Sequence, residues 1–254
     1  MRLRLGLAGG ALLRAPRRRT PGIDVGAYGK AFVLLARNPS LILAPLLMGF
    51  ASVLVGLVLP SGGPLGGLNA GIGQFISFML AAFGLSVALI QADAAWRYGR
   101  APFDAAWEES RRKLPEILMA AIGFNFVLFV ALYAGNFLGE VGTILIGLVA
   151  IFFFIYTLPA AAIGGVPGGA ALQVALERAR AAPVPTAAVV VVSMLAYGVI
   201  PTIVTATLLP LVISLGIYSS ALAQMVGALV QSVAAAYVAL ALSKAYNDIA
   251  YRGW

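Results

Sequence analysis

Gln224 and Gln231 stand seven residues apart, two turns of a helix, and so share one face of it. With Gln74, Gln91 and Asn125 they are side-chain amides set inside long apolar stretches. An amide carries donors and an acceptor but no titratable proton, so it binds and orients rather than transferring protons. In such surroundings it either bridges to a neighbouring helix or lines a pocket. The spacing favours bridging, and Asn125, Gln224 and Gln231 are expected to make interhelical polar contacts. A second group is cationic. Arg37, Arg111, Arg112 and Arg180 each close a short amphipathic segment, and a proline follows within a few residues: Arg37/Pro39, Arg111/Pro115, Arg180/Pro183. A guanidinium at headgroup level meets lipid phosphate, so these four are expected to contact lipid headgroups.

Other chemistries are excluded by what the chain lacks. There is no cysteine and no histidine. Disulfides, thiolate or imidazole metal sites, haem ligation by histidine, and Ser/His or Cys/His nucleophile pairs therefore fall away. Carboxylates inside a membrane mark proton paths, but Asp93, Glu116 and Glu140 all fall at the ends of apolar stretches. The glycine-rich runs Gly62–Gly73 and Gly164–Gly169 lack the Lys-Ser/Thr sequel of a phosphate-binding loop and read as turns. No catalytic residue, no metal site and no cofactor is expected, and the chain reads as a non-enzyme.

The elements that position these residues follow from composition. Of 254 residues 61% are hydrophobic and only 10% charged, against about 25% charged in soluble domains. No charged side chain lies between Arg37 and Asp93, between Glu116 and Glu140, between Glu140 and Glu177, or between Arg180 and Lys244. Each gap exceeds the roughly 20 apolar residues a helix needs to cross the hydrocarbon core. Two of the gaps hold two spans each. The spacing predicts spans over 41–59, 74–92, 116–136 and 143–163, a fifth beginning near Thr186, and a sixth over 221–242. Pro45, Pro159, Pro201 and Pro210 are expected to kink or end helices. The loop 60–73 is expected to be flexible, and 216–220 is expected to be a turn. In span six, Ala223 with Gly227 and Ser232 with Ala236 form small-xxx-small pairs suited to close packing, or to self-association.

All 17 lysines and arginines then fall on one side. The positive-inside rule puts both termini in the cytoplasm of a cell with the protein in its cytoplasmic membrane. This placement also accounts for the net charge of +8 without a nucleic-acid partner. Residues 1–26 read as a basic, disordered tail. The apolar piece LGLAGGALL is short and is followed by arginines rather than a cleavage site. Residues 27–243 form the six-helix transmembrane domain, and 244–254 a cytoplasmic tail.

A pattern recurs three times: a short amphipathic helix, a proline, then two spans. In GRAPFDAAWEESRRKLPEIL, residues Phe103, Ala106, Trp107, Ser110 and Leu114 share one face. That helix is expected to lie flat in the membrane interface, tryptophan down and charges up. Tyr28, Ala31, Phe32 and Leu35 share a face of the first such helix, and Leu172, Ala175, Leu176 and Ala179 a face of the third. Proline suits the start of the following span because its missing N–H is not needed in the first helical turn. The fold class is thus all-α, with six transmembrane helices in three hairpins, each preceded by a short cytoplasmic interfacial helix.

The stretches LLARNPSLILAPLL and LPAAAIGGVPGGAALQVALERARAAPVP resemble a group of bacterial and archaeal six-span proteins. That group includes the membrane domain of glycerophosphoryl diester phosphodiesterases. The resemblance implies architecture and location. It does not imply phosphodiesterase activity, because no carboxylate/histidine metal site is present. The expected role is a non-catalytic integral membrane protein, a scaffold or accessory subunit contacting lipid or a larger membrane complex. The alternative is a transporter or lipid-handling permease, whose mark would be an internal cavity lined by Asn125, Gln224 or Gln231.

Overall fold

The computed structural model describes residues 25–59, 66–214 and 220–252. Helix α1 spans Val25–Arg37, and a 3₁₀ turn, Pro39–Ile42, leads into α2, Leu43–Val58. Then come α3, Gly66–Tyr98, α4, Phe103–Arg112, α5, Leu114–Asn136, α6, Gly139–Phe154, and α7, Thr157–Ala162. The last third holds α8, Gly168–Ala181, α9, Pro183–Met194, α10, Ile200–Ser214, and α11, Ser220–Arg252. Between α9 and α10 lies a π turn, Leu195–Val199. No strand occurs among the described residues. Six stretches are long and apolar enough to cross a membrane: Pro39–Val58, Gly66–Tyr98, Leu114–Asn136, Gly139–Ala162, Pro183–Leu208 and Leu222–Ile249. The chain is a multi-pass membrane protein of three hairpins, with α1, α4 and α8 preceding them.

Three prolines start spans as expected. Pro39 opens the 3₁₀ turn, Pro115 is in the first turn of α5, and Pro183 is the first residue of α9. Two others break them. Pro201 has no N–H to offer the Tyr197 carbonyl, and the ladder widens there: the Ile200 N–H donates to the Leu195 carbonyl in the π register. Thr202 Oγ1 donates to the Gly198 carbonyl one turn back, at 2.6 Å. Pro159 acts alike on the carbonyl four residues before it, and the break between α6 and α7 falls there. Thr157 Oγ1 donates to the Phe154 carbonyl at 2.7 Å.

Several expectations are corrected. Of the loop expected over 60–73, residues 66–73 are the first two turns of α3. Their glycines are poor helix formers in water, but outside water the backbone must satisfy itself, and helix is how it does so. The expected tail from 244 is also helical, because α11 runs unbroken to Arg252. Val238, Leu242, Tyr246 and Ile249 continue one buried face. The tail expected over 1–26, with Arg2, Arg4, Arg14, Arg17, Arg18 and Arg19, lies outside the described residues except for the start of α1. The turn expected over 216–220 lies outside them except for Ser220. Helix α4 buries the face expected of it, with Ala106 and Ser110 inside. Its cover is protein, however. Trp107 meets the Phe83 ring of α3 edge-on at 5.1 Å and stacks on Phe103.

The core gathers at the basic end of the bundle. Ala31 and Leu35 of α1, Leu89 and Ala92 of α3, Tyr156, Ala160 of α7, Ala175 of α8, and Leu240 and Tyr246 of α11 are buried together. Alanine dominates because helices surrounded by lipid gain from close backbone approach, not from expelling water. A polar knot closes the same end. Asn38 Oδ1 accepts the Ala101 N–H at 3.0 Å, and its Nδ2 donates to the Leu34 carbonyl at 3.0 Å. Ser40 Oγ and Gln91 Nε2 both donate to the Ala101 carbonyl, at 2.9 and 3.3 Å. The first hairpin's entrance is thereby tied to its exit.

Candidate functional site

Helices α3 and α11 are the two longest. Half of the apolar window of each is buried, 50% and 56%, against 17–28% in the other spans. They are the axis of the bundle. Their basic ends are clasped: Trp96 Nε1 donates to the Leu240 carbonyl at 2.9 Å, and Asn247 Nδ2 to Asp93 Oδ1 at 2.6 Å. Arg97 pairs with the same aspartate at 3.0 Å. Toward the other end α2 packs against both. A Cβ on Gly84 of α3 would meet Met48 at 3.0–3.1 Å and the Ala44 carbonyl at 3.2 Å. A Cβ on Gly49 of α2 would meet Ala228 at 3.2 Å.

In front of α2 this leaves a chamber of about 720 Å³. Its walls are α2, α3 and α11, with Phe124 of α5, Leu158 of α7 and Tyr197 of the π turn contributing. Most of the lining is apolar. The polar exceptions are Ser52, Gln74, Ser77, Tyr197, Gln224, Gln231 and Ser232. Ser52 and Ser232 turn back on their own helices, donating to the Met48 and Leu229 carbonyls at 2.9 and 2.6 Å. Gln74, Gln224 and Gln231 make no hydrogen bond among the described residues. The interhelical contacts expected of Gln224 and Gln231 do not form, because both amides face the open chamber instead of a packed neighbour. Gly227 faces it too: a Cβ there would meet nothing within 4 Å. Close packing of α11 comes instead from Ala228 and from buried Ser232 and Ala236. Asn125 is absent from the lining. Its Nδ2 donates to the Ala121 carbonyl one turn back in α5, at 3.2 Å.

The arginines divide into two kinds. Arg37 and Arg180 are exposed at the ends of α1 and α8 with no ion pair among the described residues. Arg111 and Arg112 are exposed and share Glu108, at 3.1 and 3.4 Å. The hydrogen bond from Arg111 foremost holds that carboxyl below its usual range. Two cations turn inward: Lys113, whose Nζ donates to the Ala162 carbonyl at 3.0 Å, and Arg178, which the proline-pair pattern passes over. Its Nη1 donates to the Tyr246 carbonyl at 2.6 Å, and its guanidinium lies 3.4 Å from the centre of the Tyr246 ring. Burial pushes its pKa down from the ordinary arginine value. The signal was available: Arg178 is three residues after Ala175, on the margin of the face formed by Ala171, Ala175 and Ala179.

No group of three or more metal-ligating side chains occurs among the described residues. Comparisons with family models, curated proteins and solved structures return no match. The functional reading therefore rests on the chamber.

Proposed function

We propose that this is a lipid-handling membrane protein, a permease or carrier that receives an amphiphile in the chamber between α2, α3 and α11. The observation that carries the reading is the chamber itself. Its volume of about 720 Å³ is in the range of small-molecule sites, about 300–1,000 Å³. Its lining is apolar with a few free amides, the pattern expected where a ligand has a greasy body and a polar end.

The test fills the chamber. Gly227→Trp adds an indole at a position where a Cβ meets nothing within 4 Å and which faces the chamber, and it removes a poor helix former. Purified from native membranes in detergent-free discs, the wild-type protein is expected to carry an amphiphile enriched over bulk lipid. The variant is expected to fold and melt as the wild type does, yet to show no enrichment. Equal enrichment in both proteins, or none in either, overturns the reading.

The location proposed is a cytoplasmic membrane with the basic end inside. Every lysine and arginine among the described residues belongs to that end of the bundle, and the cationic side is the one retained in the cytoplasm. Exposed Arg37, Arg111, Arg112 and Arg180 would there meet anionic headgroups. The chain has no cysteine, so single cysteines report topology directly. In intact cells a membrane-impermeant maleimide is expected to label Leu138→Cys, in the short turn between α5 and α6, and to leave Arg100→Cys unlabelled. The reverse pattern inverts the orientation.

A further inference from the structure

We infer that the chamber selects an amphiphile with an uncharged, hydrogen-bonding headgroup, and that the headgroup sits on Gln74, Gln224 and Gln231 at the end remote from the arginines. The inference rests on the chamber reading above and adds to it the chemistry of the ligand and its direction.

Charge comes first. The walls are built from segments with no ionisable acid or base of their own beyond the phenol of Tyr197. Along α3 the nearest charge to the lining is Asp93, eight residues past Leu85. Along α11 it is Lys244, nine residues past Ala235. Before α2 it is Arg37, eight residues ahead of Pro45. At about 1.5 Å per residue the separations within α3 and α11 are roughly 12 Å or more along each helix, and Arg37 lies beyond the start of α2, across the 3₁₀ turn. A phosphate or carboxylate headgroup seated in the chamber would find no cation on its walls to pair with. The cations that could serve an anion are at the other end, exposed at the surface or bonded to Asp93, Glu108, Glu109, Asp248 and Tyr246.

Hydrogen bonding comes second. Each free amide offers two N–H donors and a carbonyl acceptor. That is the complement of a hydroxyl, a sugar or another amide. Ser52 and Ser232 in the same wall have satisfied themselves on their own helices, so the unused capacity is that of the three glutamines together with the hydroxyls of Ser77 and Tyr197.

Depth gives the direction. Gln74 is 23 residues from Arg97 in α3, and Gln224 is 20 residues from Lys244 in α11. These spacings put both roughly 30–35 Å from the basic end. Gln231 is two turns deeper, on the same face as Gln224. Below them the lining is Leu85, Leu158, Phe124 and Ala235. The headgroup thus belongs at the amide end, with the chain pointing inward toward the basic end.

Two probes with one chain length decide the matter: monododecanoylglycerol, which is uncharged, and dodecyl phosphate. Each is titrated onto the full-length protein in zwitterionic nanodiscs. The glycerol ester is expected to bind about tenfold or more tightly than the phosphate, since an unpaired charge is the costlier group to bury. The triple variant Gln74→Leu/Gln224→Leu/Gln231→Leu, with an unchanged melting temperature, is expected to bind the glycerol ester about tenfold more weakly, because the hydrogen bonds to its headgroup are gone. Phosphate binding as tight as the ester's, or ester binding undiminished in the triple variant, overturns the headgroup assignment while leaving the chamber in place. Binding of neither probe, or binding of both that Gly227→Trp does not reduce, overturns the chamber reading itself.

Discussion

Gly168→Ala is expected to lower the melting temperature of the protein in lipid nanodiscs, while Gly169→Ala, one residue along, is expected to leave it unchanged or raise it. Both residues are in the first turn of α8, and both changes add a single methyl. The surroundings differ. A Cβ on Gly168 would press on the Met119 Cβ and meet the Glu116 carbonyl oxygen at 2.9 Å and the Ala120 nitrogen at 3.1 Å. Two of those three atoms are backbone of α5, which cannot rotate away. Overpacking of this kind costs about 1–3 kcal/mol, and rigid neighbours favour the upper end. A Cβ on Gly169 would meet nothing within 4 Å, so only the gain in helix propensity remains, about 0.5–1 kcal/mol at most. The pair isolates close approach of α8 to α5 from the general weakness of glycine in helices. Equal melting temperatures for the two variants would mean that α8 does not rest on α5 as described.

The spans and the three preceding helices were legible because hydropathy and charge spacing report the solvent of each segment, and lipid demands helix. The starts of the spans were legible because Pro39, Pro115 and Pro183 suit few other places in a helix. The glycines of 66–73 misled, because their propensity is a property of chains in water. The tail from Lys244 misled because charged residues suggest an end, although Leu242, Tyr246 and Ile249 keep the helical face going. What could not be read was long-range. Nothing near Gln91 in the chain says that its amide meets the Ala101 carbonyl alongside Ser40, or that Asn38 caps Ala101 from 63 residues away. The glutamines of α11 show the same limit in reverse. Their spacing gave the shared face correctly, but whether that face meets another helix or an open chamber depends on where α5 and the π turn come to rest.

Trp96→Ala is expected to produce the largest loss of stability among changes at the clasp between α3 and α11. Trp96 joins the two axial helices: its indole N–H donates to the Leu240 carbonyl at 2.9 Å, and its ring packs on the core. The Lys244 ammonium lies 5.7 Å from the ring centre. Truncating a tryptophan costs about 3–5 kcal/mol, and the half-buried state of this one favours the lower end. Trp96→Phe separates the contributions. It keeps most of the ring and removes only the hydrogen bond, at about 1 kcal/mol, because the Leu240 carbonyl stays within its own helix ladder. The melting temperatures should fall in the order wild type, Phe, Ala. Function should follow the same order, since α3 and α11 carry all three free amides and their spacing is set at the clasp. The alanine variant is therefore expected to lose the amphiphile enrichment that the phenylalanine variant keeps. An alanine variant as stable as wild type would show that α3 and α11 are held together elsewhere, and that the chamber does not depend on their basic ends.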